Sequence, residues 1–227
     1  MARDLAGFEA RVLALLMDAT HAVFALAQVD EGLSQALDEY TRASLERGAV
    51  VRSNEKIATL TPTANLREVS LSTLTGLIDV TRVWFPYHTG AAYYSEPPRW
   101  VDFETQWNAN APSLFLRIAG VPDGVDLARV YYRIPHTLKD LSAATVTTFD
   151  AQDDSLLVLG AAGWACIARS TDLAEDSDLG LTATLSYATL AARLLKLFRK
   201  RLAPRRTMRS TGSAPAFAPG LALDRWG

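Results

Sequence analysis

The sequence predicts an α+β fold: a four-helix bundle-like body, an antiparallel β subdomain inserted into it, and an extended C-terminal tail. Three observations predict it. Apolar residues recur every three or four positions up to about residue 49 and again after residue 136. Between Val50 and Pro135 the β-branched and aromatic residues concentrate, punctuated by Pro and Gly. After Pro204 the chain turns to Pro, Gly, Ser and Ala, with little from which to build a core. The expected organisation is a helical body at 1–49 and 136–202, a β insertion at 50–135, and a flexible basic tail at 203–227. A 227-residue chain that is 49% hydrophobic is long and apolar enough to bury roughly 70–75% of its unfolded surface, which argues against a disulfide-stapled mini-protein and against wholesale disorder.

Residues 4–28 read as the first amphipathic helix. Leu5, Phe8, Val12, Leu15, Ala19, Val23 and Leu26 follow helical spacing, and Asp4 is placed to cap the N-terminus. A break at Asp30-Glu31-Gly32 leads to a second helix at 33–47, with Leu33, Leu37 and Tyr40 inward and Gly48 closing it. Strands are then expected at Ile57–Thr61, Glu68–Leu71, Ile78–Tyr87, Trp100–Trp107, Ser113–Ala119 and Leu127–Ile134. In the fourth, Val101, Phe103, Thr105 and Trp107 alternate with Asp102 and Glu104, one face in and one out. In the fifth, Leu114, Leu116 and Ile118 share a face. The turn at Val121-Pro122-Asp123-Gly124 suggests an antiparallel meander. Helix returns at 151–172, apolar nearly all round from Ser155 to Ala168 and therefore central. The small residues from Gly160 to Gly163 would let a neighbouring backbone come close. The last helix, 182–202, carries an apolar stripe of Leu185, Ala188, Ala192, Leu195, Phe198 and Leu202, and Pro204 should stop it.

The composition excludes several function classes. A single cysteine, Cys166, allows neither an internal disulfide nor a four-cysteine zinc site, and within so apolar a helix a thiol is a poor nucleophile. His21, His88 and His136 stand apart and form no HExxH pair. Asp150-Ala151-Gln152-Asp153-Asp154 lacks the glycine and glutamate of a calcium loop and reads as the acidic start of a helix. No Walker loop, GxGxxG or GxSxG motif occurs. Asp102 and Glu104 on one strand face could in principle serve a glycosidase, but an outward strand face is acidic simply to stay wet. No enzyme, metal site or cofactor is expected. Neither a signal peptide nor a membrane span is expected: Glu9, Arg11 and Asp18 interrupt the N-terminal stretch, and the 14-residue apolar run from Ser155 to Ala168 is shorter than the roughly 20 residues a spanning helix needs.

Two features remain. Trp84, Phe85, Tyr87, Tyr93, Tyr94, Trp100 and Trp107 fit cross-strand packing better than a stacking platform. Charge, by contrast, is sharply divided. Of 23 Lys and Arg, nine fall in residues 193–227 against one acid, Asp224, leaving 14 basic and 24 acidic side chains in residues 1–192. The cluster Arg199, Lys200, Arg201, Arg205, Arg206 and Arg209 runs past Pro204. A helix end explains its first three members, and a binding role explains the continuation.

The whole plan resembles the head-to-tail adaptor (connector) proteins of tailed bacteriophages, over roughly residues 3–202. The stretch that carries the likeness is Val130-Tyr131-Tyr132-Arg133-Ile134-Pro135-His136-Thr137-Leu138, followed by Asp153-Asp154 and the Leu-Leu-Val-Leu-Gly-Ala-Ala-Gly helix. It looks like the return from a β insertion to a helical bundle in that family. The resemblance implies a structural virion protein without catalytic residues. Such a protein is made in the host cytoplasm and sits in the neck as a ring, usually of twelve copies, below the portal. Its partners would be copies of itself, the portal protein, a downstream neck or tail protein, and genomic DNA passing through the channel without sequence-specific binding. The tail would reach the portal, with Leu221, Leu223 and Trp226 as anchors and the arginines at the rim. The other reading is a binding module whose β subdomain recognises carbohydrate or a host protein.

Overall fold

The computed structural model describes residues 3–46, 49–88, 99–107, 112–175 and 181–203. It is α+β, with four helices and two small antiparallel sheets: α1 (Leu5–Leu15), α2 (Leu26–Leu45), β1 (Asn54–Leu60), β2 (Glu68–Ser70), β3 (Asp79–Tyr87), β4 (Asp102–Gln106), β5 (Ser113–Arg117), β6 (Leu127–Ile134), α3 (Asp154–Glu175) and α4 (Leu181–Leu202). Gly48, the loop tyrosines Tyr93 and Tyr94, and everything from Pro204 onward lie outside the described residues.

Asp4 caps α1 as expected, its carboxylate accepting the Gly7 N–H at 3.0 Å. The helix does not continue to residue 28. The buried Asp18 carboxylate accepts the backbone N–H groups of Ala22, Val23 and Phe24 at 2.8–2.9 Å. Met17 and His21 adopt left-handed φ of 58° and 57° beside it. An aspartate that offers the backbone three bonds outside a helix outcompetes the helix ladder there. The second helix consequently begins at Leu26, where the Gln28 side chain accepts the Ala25 N–H. The expected break at Asp30-Glu31-Gly32 falls inside α2. Gly32 serves packing instead: a Cβ on it would lie 2.6 Å from the Ala161 carbonyl oxygen of α3.

α3 is the central helix, in contact with α1, α2 and α4. With its leading turn it is long and apolar enough to cross a membrane by length and composition alone, but more than half of that span is buried among the other helices. Gly160 and Gly163 admit side chains of α4, the Phe198 ring and Leu195, and the close backbone approach is at Ala161 opposite Gly32. The inward stripe of α4 is Ala191, Leu195, Phe198 and Leu202; Leu185, Ala188 and Ala192 face outward. Only one flank of α4 meets α3, so the apolar residues outnumber the positions available for burial.

The β region has its own core. Val69, Leu71, Val83, Leu114, Leu116, Ala128 and Val130 are almost completely buried between two three-stranded sheets. Leu114 and Leu116 turn inward together while Asp102 and Glu104 face out, as their alternation predicts. The sheets are not a meander. Their strand orders are β1-β6-β3 and β2-β5-β4, because the first and last strands pair along their length, Asn54 opposite Ile134 through Leu60 opposite Ala128. That pairing brings the two ends of the region side by side next to the helices. The sheets are stitched at one corner, where the Phe85 N–H donates to Arg99 and the Val101 N–H to Val83.

The Gly32–Ala161 contact yields a test. Alanine normally stabilises a helix interior over glycine by roughly 0.5–1 kcal/mol. Here the added methyl meets backbone, which cannot swing aside. Gly32→Ala is expected to destabilise by about 1–3 kcal/mol, read as a lower urea midpoint with an unchanged slope.

Candidate functional site

Two places gather polar side chains. The first is the joint where the chain passes from β6 to the helices. His136, immediately after β6, is buried; its Nε2 lies 2.9 Å from the Arg52 carbonyl oxygen, and its backbone N–H donates to Thr41 Oγ1 at 3.1 Å. The Tyr40 ring of α2 stands edge-on to it, centroids 5.0 Å apart, and donates its hydroxyl to Asp153 at 2.6 Å. Phe149 and Phe8 complete the aromatic cluster. Arg133 pairs with Asp79 across β6 and β3 and reaches the Leu45 carbonyl at the end of α2. Burial pushes the Tyr40 hydroxyl far above its ordinary range and lowers the His136 pKa. Both are therefore neutral and structural at pH 7.

The acids expected at the head of α3 each have a separate partner. Asp153 takes Tyr40. Asp154 takes Arg3 at 2.9 Å and Arg11 at 3.1 Å, and Asp150 lies 3.6 Å from Arg52. They do not converge on a cation, and no group of His, Cys, Asp and Glu suited to a metal occurs among the described residues. Cys166 is buried, and burial pushes its thiol up to about 11, so little thiolate forms at neutral pH. Glu104 pairs with Arg117 on the outer sheet face.

The second place is the end of α4. Of the residues singled out from sequence, Arg199 is tied inward by a bidentate pair to Glu39 of α2 at 2.8 and 2.9 Å, which also raises its pKa. Lys200 and Arg201 are exposed and make no ion pair among the described residues. Arg205, Arg206, Arg209, Leu221, Leu223 and Trp226 lie outside the described residues. Beside Arg199 a groove of about 510 Å³ opens between α2 and α4. Trp164 of α3 lines it, with Asp38, Glu39 and Glu46 on the α2 bank. Sequence periodicity marks these α2 residues only as a solvated face, and their role becomes legible once α4 is placed beside them.

The aromatics of the β region are divided. Trp84 and Phe85 are buried, whereas Trp100 and Trp107 are 49% and 56% exposed. On the outer side of β6 and β3, Arg82 lies over Trp100 and Tyr131, and Arg129 over Tyr87 and Tyr131. Ring planes there are inclined by 54–71°, which is cross-strand packing geometry and not a coplanar platform. Compared with known proteins, the chain matches no family model and no curated relative.

One titration is readable in stability. Glu9 of α1 faces Asp30 of α2. Burial first, then the hydrogen bond and charge of Asp30, push the Glu9 pKa from 4.5 up to about 7. The folded chain thus holds a proton that the unfolded chain releases, and this group lowers stability as pH rises through that window. His136, with its lowered pKa, acts in the opposite sense. The parent-to-variant difference isolates Glu9: Glu9→Gln should gain melting temperature relative to the parent between about pH 5 and about pH 8.

Proposed function

We propose that the protein is a head-to-tail adaptor of a tailed bacteriophage, a structural virion protein that forms a ring below the portal and lines part of the DNA conduit. In this reading the four helices form the bundle-like body, and the extended C-terminal segment reaches the portal. The observation that carries it is the joint. The β region leaves the helices after α2 and returns at His136, through the Tyr-Tyr-Arg-Ile-Pro stretch on which the resemblance rests, to an acid-started, alanine-rich helix. A unit whose first and last strands pair can be inserted into a helical body without dividing its core. Each titratable group buried at the joint serves packing, as suits a scaffold. The acidic excess of residues 1–192 suits a conduit that repels DNA and lets it slide. The exposed Trp100 and Trp107 favour a second reading, in which the β unit recognises a carbohydrate or host protein.

The test uses the full chain and the portal ring of the same phage. Removing residues 204–227 should abolish co-sedimentation with the portal while leaving helical circular dichroism intact. Trp226→Ala should weaken portal binding by roughly 30-fold, the scale of an aromatic anchor, and any single arginine change by less. Portal binding that survives the truncation, with loss of only a steeply salt-dependent DNA affinity, would replace this reading with a nucleic-acid role.

A further inference from the structure

α4 is unusual in its charge. From Leu181 to Ala203 it carries five cations, Arg193, Lys196, Arg199, Lys200 and Arg201, and no acid. Only Arg199 has an acidic partner among the described residues. At 100° per residue, Leu190, Arg193, Leu197, Lys200 and Arg201 fall within one arc of roughly 100°. That arc lies opposite the buried Ala191, Leu195, Phe198 and Leu202. Leu190 is 39% exposed and Leu197 50%. Leucines interleaved with cations describe a face that lacks an apolar, acidic counterpart.

The same chain presents that counterpart elsewhere. On α2, Glu31, Gln35, Asp38 and Arg42 repeat at helical spacing, with Glu46 just past the helix end, on the side away from the buried Ala36 and Tyr40. Four of them, Gln35, Asp38, Arg42 and Glu46, line the groove of about 510 Å³ that also contains Trp164, Ala43 and Leu202. The groove therefore has an acidic bank and a partly apolar floor, where the Arg199 guanidinium lies 5.8 Å over the Trp164 ring. Glu39 and Arg199 neutralise each other, which leaves Asp38 and Glu46 against Arg42. The stripe on α4 spans about 16 Å and the α2 run from Gln35 to Glu46 also about 16 Å, at 1.5 Å per residue.

We infer that the outer face of α4 from one copy docks in the α2–α4 groove of a second copy. Leu197 of the incoming helix meets Trp164 and Ala43, and Arg193 and Lys200 meet Asp38 and Glu46. The two surfaces share no residue, so the contact is heterologous and propagates from copy to copy, closing as a ring or continuing as a filament. This deepens the adaptor reading by naming the surfaces that join copies, and for ring closure it rests on that reading. The contact itself depends only on the two faces. Nucleic acid is the competing occupant for the cations, but phosphates have no use for the exposed leucines between them.

The experiment is a charge swap on the full chain, followed by sedimentation velocity at moderate salt. One variant carries Arg193→Glu and Lys200→Glu, another Asp38→Lys and Glu46→Lys. All four positions are exposed, three on helices and Glu46 just past the end of α2, and melting curves check that each variant folds. The parent should self-associate, and each variant alone should do so at least tenfold more weakly, because like charges then face each other. Mixing the two variants, or combining all four changes in one chain, should restore association. A parent that stays monomeric, variants that associate like the parent, or folded variants whose mixture does not recover would each overturn the inference. Portal binding is read separately, so loss of this contact and loss of the adaptor reading give different results.

Discussion

Tyr40 holds the two halves of the molecule in one arrangement. It comes from α2, packs edge-on against His136 at the end of the β region, and bonds Asp153 where α3 begins. Three segments distant in sequence are thus fixed by one fully buried side chain. The hydroxyl matters because it satisfies a carboxylate at the edge of the core. Hydrogen bonds to charged groups contribute about 1.5–3 kcal/mol, and a partner left alone costs its full desolvation. Around it, hydroxyls of Thr41, Thr147 and Thr148 accept the backbone N–H groups of His136, Lys139 and Thr137. The connecting chain leaves the sheet yet leaves few of its donors unsatisfied.

The α+β class, the location of the strands, the alternation in β4 and β5 and the centrality of α3 were legible in the sequence because each is periodic and local. The failures are where side chains act on the backbone or on distant partners. Asp18 ends α1 by taking three N–H groups, while Val23 and Leu26 happen to continue the helical spacing. Gly32 reads as a breaker, but it is a contact with Ala161 more than a hundred residues away. The strand order could not be read, since turn residues announce that a chain reverses without saying which strand it joins. For the candidate site, the sequence marks the cations of α4 but conceals that Arg199 belongs to Glu39, and it gives no sign that Trp164 and the acids of α2 form a groove beside them.

Charge and architecture point in one direction. Several titratable groups are used up in structure: Asp18 on a turn, Asp154 on two arginines, Tyr40 and His136 on the joint. The surface carries a basic face on α4 and an acidic stripe on α2. On the adaptor proposal, these are the faces through which copies and partners meet in a defined geometry. Such geometry requires that the β unit ride on the helices at a fixed angle, so the joint must behave as part of the core and not as a hinge.

Native-state hydrogen exchange at the His136 and Thr137 amides tests that requirement most directly. Their N–H groups donate to Thr41 Oγ1 at 3.1 Å and to Thr148 Oγ1 at 2.8 Å. If the joint is part of the core, these amides exchange only through the same global opening that exposes Ala161 and Ala165 in α3. Exchange through a separate, lower-energy opening while α3 stays protected would show two modules on a hinge and contradict the view of the molecule as one rigid body.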